Sequence, residues 1–228
     1  MRQHLLVDAD DTLWENNVYF EQAFEAFCDY LDHSTLSREE IRLILDEIEL
    51  ANNKLHGYGS LNFARNMQQC YQRLAEREIR AADLERIMAL AGWILEQPVE
   101  MLEGVGETLA YLARRHDLTL FTKGHPEEQK LKVDRSGLGV YFGHTAIVKE
   151  KDAGAYRRMV RGRRLDPAQT WMIGNSPKSD INPALEAGLN AVYVPHSRTW
   201  HLERQEIQRN GGGELLVVEK FRDLTKHF

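Results

Sequence analysis

Asp8, Asp10 and Asp11 stand together in Asp8-Ala9-Asp10-Asp11-Thr12-Leu13, directly after the apolar run Leu5-Leu6-Val7. Three carboxylates this close repel one another unless a proton or a cation neutralises them. Their hard oxygen donors suit a magnesium ion. The same short pattern also serves as an ordinary helix cap, because Asp and Thr side chains accept backbone N–H groups at a helix start.

Three later segments have chemistry of the same kind. Thr122-Lys123-Gly124 offers a hydroxyl, an ammonium and backbone amides that a glycine can expose, ahead of a helical stretch. That combination can cradle a phosphate, and it can equally be a structural strand end. Lys149-Glu150-Lys151-Asp152 is a charge run before a helix, read by itself as a solvated surface. Gly174-Asn175-Ser176-Pro177-Lys178-Ser179-Asp180 follows another apolar run; glycine permits a sharp turn there, and Asp180 can reach back as a metal ligand.

The elements that must position these groups follow from periodicity. Short apolar runs at 5–7, 118–121, 145–148, 171–173, 191–194 and 215–218 read as strands. Helical patterns fall at 103–115, 127–136, 153–163 and 179–187. This alternation predicts an α/β fold with a Rossmann-like parallel sheet, and parallel sheets place their sites at the C-terminal ends of strands. Residues 15–97 break the rhythm. Phe20, Phe24, Phe27 and Leu31, then Ile41, Ile44, Leu45 and Ile48, then Leu84, Ile87, Met88 and Ala91 recur at helical spacing. Ser37 and Glu40 form a capping-box pattern. The expected organisation is a core of residues 1–14 and 98–228 with an all-helical domain, 15–97, inserted after the first strand. Gly211-Gly212-Gly213 reads as a turn before the last strand.

The formal net charge of −6 in 228 residues argues against nonspecific nucleic-acid binding, which needs a basic excess to neutralise phosphates. No apolar run approaches a membrane span, and the N-terminus lacks a signal-peptide pattern. Cys28 and Cys70, both in helical segments, read as two buried thiols. A cytoplasmic location is expected, with no membrane partner; oligomeric state is open.

Taken in order, these motifs resemble the haloacid dehalogenase superfamily. Asp8, Asp10, Thr12 and Leu13 match its D-x-D-x-T-L motif, Thr122 its Thr/Ser motif, Lys151 its lysine motif, and Gly174, Asn175 and Asp180 its metal-binding loop. The helical insertion resembles the superfamily's cap. The resemblance implies a magnesium-dependent phosphohydrolase acting on a small phosphorylated metabolite. Asp8 is then the nucleophile that becomes an aspartyl-phosphate and Asp10 the general acid and base. Thr122, Lys123 and Lys151 bind phosphate, while Asp8, Asp10 through its backbone carbonyl, Asn175 and Asp180 hold the metal. Lys149 competes with Lys151; the superfamily lysine commonly precedes an aromatic on the next helix, here Tyr156, which favours Lys151. Asn175 stands where many members carry Asp, implying retuned magnesium binding, since an amide adds no charge. Dehalogenating members lack the second Asp, so Asp10 favours phosphoryl chemistry. Within the cap, Tyr58 and Arg65 in the His56–Arg65 stretch are candidate specificity residues; an ordinary inter-helix loop is the competing account. A phosphomutase, a phospho-receiver and a silent binding protein stay open as alternatives.

Overall fold

The computed structural model describes residues 2–208 and 212–228, so Gly211 of the expected glycine turn lies outside the described residues. Six parallel strands form one sheet: β1 (His4–Val7), β2 (Asp117–Lys123), β3 (His144–Val148), β4 (Thr170–Gly174), β5 (Asn190–Tyr193) and β6 (Leu215–Val217). Their order is β3-β2-β1-β4-β5-β6, with β1 inside the sheet between β2 and β4. This is the predicted α/β architecture.

The period-two alternation of β1 is visible in its packing. Leu5 and Val7 join one apolar cluster with Leu118, Leu120, Trp171 and Ile173, whereas Leu6 joins the opposite one with Phe121, Tyr156 and Met172. Both faces are therefore covered, as a parallel sheet requires. The register pairs Val7, the end of β1, with Leu120 of β2 and with Ile173 of β4; β4 runs one residue further and β2 three, so all three strands end along the C-terminal edge. The order in which successive strands are added reverses at the β1–β4 seam, where open α/β sheets bind ligands.

The described residues form eight α-helices: α1 (Asn17–Leu31), α2 (Arg38–His56), α3 (Ser60–Leu74), α4 (Ala81–Glu96), α5 (Val105–Ala113), α6 (Pro126–Ser136), α7 (Ala153–Arg163) and α8 (Asn182–Glu186). The predicted 179–187 helix is split. A wider π-type turn spans Pro177–Ile181, in which Asp180 and Ile181 both donate their N–H to Ser176 O, at 2.9 and 3.1 Å.

The chain divides into two compact units, Met1–Asn17 with Val99–Phe228, and Val18–Pro98. The second unit is entirely helical. It buries Phe24, Phe27, Leu31, Ile41, Leu45, Ile48, Ile87 and Ala91 from the predicted apolar stripes, together with Phe63, Met67 and Tyr71. The capping box forms at the start of α2: Glu40 N–H donates to Ser37 Oγ at 3.2 Å, and Ser37 N–H to Glu40 Oε2 at 2.8 Å. Cys28 and Cys70 are buried free thiols. No helix among the described residues is long and apolar enough to cross a membrane.

Candidate active site

Asp8 directly follows β1, and its N–H still donates to Ile173 O of β4 at 2.9 Å. Leu13 N–H then closes onto Ala9 O at 2.8 Å, bending the chain into a tight turn that carries Asp10 and Thr12. Thr12 Oγ1 lies 3.2 Å from Asp8 Oδ2 and 3.1 Å from Asn175 Oδ1, so one hydroxyl links the ends of β1 and β4.

Lys151 completes a buried ion triad. Its ammonium donates to Asp8 Oδ1 and, at 2.7 Å, to Asp180 Oδ1. All three residues are buried, whereas Lys149 is exposed; of the two competing lysines, Lys151 is the one inside. Burial and the Asp180 charge push the Asp8 carboxyl up to about 7, against the opposing pull of Lys151. Burial alone would lower the Lys151 ammonium, but the two carboxylates outweigh it and raise it.

Asp180 reaches this position because Gly174 has no side chain. A Cβ at Gly174 would stand 2.2 Å from Asp180 Oδ2. That oxygen accepts from Ser176 N–H at 2.9 Å, which turns the carboxylate back across the strand end. Asn175 Nδ2 donates to Thr199 Oγ1 at 2.8 Å, which leaves Oδ1 directed at Thr12.

Thr122 and Lys123, at the end of β2, point to opposite faces. Thr122 is buried, and its hydroxyl makes one long contact, 3.5 Å, to Lys123 O among the described residues. Lys123 Nζ donates to Ser179 Oγ at 2.9 Å and to Glu203 Oε1 at 2.7 Å. Glu203 also accepts from Ser176 Oγ and Ser179 Oγ. Burial would raise its carboxyl, yet Lys123 and these hydroxyls hold it below the usual range. Sequence reasoning missed Glu203, which sits in a stretch without periodicity.

Asp10 is held by three residues the motif does not contain. Lys132 Nζ lies 2.6 and 2.7 Å from its two carboxylate oxygens, Trp14 Nε1 donates to Oδ1 at 2.8 Å, and Gln129 Nε2 donates to Oδ2 at 2.7 Å. Gln129 and Lys132 are three apart on α6 and so share one helix face. Nothing in their local sequence marks them.

Asp11 takes a left-handed backbone, φ 57°, and accepts Asn16 and Asn17 N–H on Oδ1 at 2.9 and 3.1 Å. It holds the turn. Burial pushes its carboxyl up to about 7 despite those bonds. One donor atom each from Asp11, Glu15 and His196 lie within 4.8 Å of one another. His196 Nε2 stands 3.5 Å from Glu15 Oε1 and Arg198 Nη1 4.0 Å from Glu15 Oε2, so Glu15 already has a cationic neighbour in Arg198.

The remaining candidates lie in the helical unit. Tyr58 is half-buried in the link between α2 and α3, where Asn62 Nδ2 donates to Gly57 O at 2.7 Å, and Arg65 is exposed on α3. His125 is exposed at the start of α6.

Residues 3–188 match the family described as haloacid dehalogenase-like hydrolase. A haloacid dehalogenase-like family hydrolase from Xanthomonas campestris is 30% identical, with 99% of this chain and 90% of that chain covered and a TM-score of 0.85. The HAD-hydrolase YfnB from Bacillus subtilis, bound to magnesium, is 15% identical over 99% of this chain and 98% of that one, with a TM-score of 0.69. A 2-haloacid dehalogenase from Pseudomonas syringae pv. Tomato DC3000 is 20% identical over 99% and 97%, at a TM-score of 0.62. No curated protein matches the chain.

Proposed function

Because the chain belongs to the haloacid dehalogenase-like hydrolases, we propose that it is a magnesium-dependent phosphohydrolase acting on a small phosphate ester. The observation that carries this reading is Asp10, a second carboxylate two residues beyond Asp8 and separately held by Lys132, Gln129 and Trp14. Displacing halide from carbon needs no proton donor for an oxygen leaving group; displacing an alkoxide from phosphorus does. Our assignment therefore differs from the activity named for the Pseudomonas syringae relative.

The donor set around Asp8 fits a hard cation: two buried carboxylates, Asp8 and Asp180, and the amide oxygen of Asn175, which Thr12 links to Asp8. Asp8, Asp180, Asn175 and the backbone carbonyl of Asp10 are the groups we assign to hold magnesium. When bound it would neutralise charge on the phosphoryl oxygens. The magnesium reported with YfnB is in keeping with that assignment.

The chain's own residues do the rest. A carboxylate oxygen of Asp8 forms a bond to phosphorus while the bond to the leaving oxygen breaks, giving an aspartyl-phosphate. Asp10 gives its proton to that leaving oxygen. It then takes a proton from the water that attacks phosphorus, which returns Asp8 as carboxylate and releases phosphate. Thr122 and Lys151 bind the equatorial oxygens, where electrostatic positioning supplies most of the rate. Lys123, tied to Ser179 and Glu203, steadies the loop that carries Asp180.

The test is release of inorganic phosphate from p-nitrophenyl phosphate and from alkyl phosphates, with and without magnesium, alongside halide release from 2-chloropropionate. Magnesium-dependent phosphate release that Asp8→Asn abolishes is the expected result. Halide release without phosphate release overturns the proposal.

A further inference from the structure

Asp10 is the most heavily supported carboxylate of the motif that is not part of the buried ion triad, and most of its support comes from α6. Lys132 spans both of its oxygens, Trp14 holds Oδ1 and Gln129 holds Oδ2. Lys132 also donates to Asn16 Oδ1 at 3.0 Å, so its ammonium is fixed from the far side of the same turn. Its side chain is 23% exposed, which leaves the contact with Asp10 partly shielded from water.

Gln129 is built into place with equal care. It is buried, and Nε2 donates to Lys123 O at 2.9 Å as well as to Asp10. Its Oε1 is buried without a hydrogen-bond partner among the described residues. A buried acceptor left unmet is destabilising, and the contact to Asp10 offsets that cost. Gly124 makes the room: a Cβ there would stand 2.7 Å from Gln129 Nε2, on a backbone at φ +148°. The glycine of the Thr122-Lys123-Gly124 segment thus serves Asp10 through Gln129.

We infer that Lys132 and Gln129 are positioning residues for proton transfer, holding the Asp10 carboxyl in the orientation from which it protonates the leaving oxygen. The geometry permits this without releasing the group. If the reacting proton sits on Oδ2, Lys132 and Trp14 still hold Oδ1; if it sits on Oδ1, Lys132 and Gln129 still hold Oδ2. In either case two donors remain on the non-reacting oxygen and keep the carboxyl plane fixed. The proton passes from Asp10 to the leaving oxygen as its bond to phosphorus breaks, so charge and atoms balance with no further reactant. This inference rests on the phosphohydrolase reading.

Misplacing a catalytic group by about 1 Å can cost on the order of 10²-fold. In kcat/KM, which reports steps up to formation of the aspartyl-phosphate and not the later attack of water, that cost appears only where the leaving group needs the proton. An alkoxide leaving group needs it; p-nitrophenolate, already a stable anion, hardly does. Lys132→Met and Gln129→Leu are therefore expected to lower kcat/KM for alkyl phosphates by roughly 10- to 100-fold while leaving p-nitrophenyl phosphate within about threefold of wild type. Lys132→Arg, which keeps the charge and the donors, is expected to recover most of the alkyl activity. In an Asp10→Asn background, Lys132→Met is expected to add nothing further, because residues that act through one group are not additive.

Equal losses on both esters, or a full additional loss in the Asp10→Asn background, overturn the inference and mark Lys132 as a general structural support. If Lys132→Met does not fold, Gln129→Leu and Lys132→Arg give the same ester comparison on folded protein. Wild type that hydrolyses neither ester overturns the phosphohydrolase reading itself, an outcome separate from unequal or equal losses in an active enzyme.

Discussion

Asn175 donates to Thr199 Oγ1 at 2.8 Å, and Thr199 Oγ1 in turn donates to His196 O at 2.9 Å. The single proton of Thr199 is thus committed to a backbone carbonyl, and its oxygen must be met by a donor. An amide supplies one; a carboxylate does not. The amide at position 175 therefore has a defined local role. Asn175→Asp is expected to cost about 1–3 kcal/mol of stability without metal, through an acceptor facing an acceptor. The added charge is expected to lower the magnesium concentration for half-maximal activity several-fold. Paired denaturation curves and magnesium titrations check both; unchanged stability would show that Thr199 turns freely.

Gly174→Ala tests the placement of Asp180. The new methyl would meet Asp180 Oδ2 at 2.2 Å, and neither group can retreat in a buried strand end. A stability loss of about 1–3 kcal/mol is expected from overpacking, with a larger effect on the magnesium requirement. A variant with normal metal titration would mean that Asp180 is not a ligand.

Lys151→Met removes the cation between Asp8 and Asp180 and leaves two buried carboxylates facing each other. Breaking such a group by removing one partner typically costs about 3–5 kcal/mol. Magnesium is expected to raise the Tm of this variant more than that of wild type, since a cation there replaces the missing charge. An equal rise in both proteins would place the ion elsewhere.

Glu49 in the helical unit sets a pH dependence. It is 5% exposed, and its Oε2 has no hydrogen-bond partner among the described residues. Burial pushes its carboxyl from the ordinary 4.5 up to about 8, against the pull of Arg42. Between these values the folded chain keeps a proton that the unfolded chain has lost. This contribution to stability is full below about 4.5 and disappears as pH rises through about 8. Glu49→Gln is expected to flatten that slope and to stabilise the protein at alkaline pH by on the order of a few kcal/mol. Denaturant midpoints measured across the range decide it; parallel curves would assign the slope to other groups.

The strands were legible because each is a short apolar run bounded by polar turns, and α1, α2 and α4 because their apolar residues recur every three or four positions. Asp8 and Asp180 were legible as acidic residues at strand ends. Lys151 was less so: it and Lys149 stand two apart in a charge run, and only packing shows which is buried. Gln129, Lys132 and Glu203 were not legible at all. Their partners lie up to 122 positions away, and a polar residue on a helix or in an irregular segment reads as solvent-facing. The split after Pro177 was hidden for a related reason, since it is defined by two N–H groups sharing Ser176 O and not by any apolar spacing.

The bond from Asp8 N–H to Ile173 O carries a further consequence. The backbone beneath the candidate nucleophile remains woven into the centre of the sheet, one residue past the formal end of β1. Its amide can exchange hydrogen with solvent only when the β1–β4 seam opens, an event tied to the deepest part of the fold. Asp8 is thus mounted on backbone that the central strands hold in place, and any adjustment the reaction demands falls on the turn that follows it.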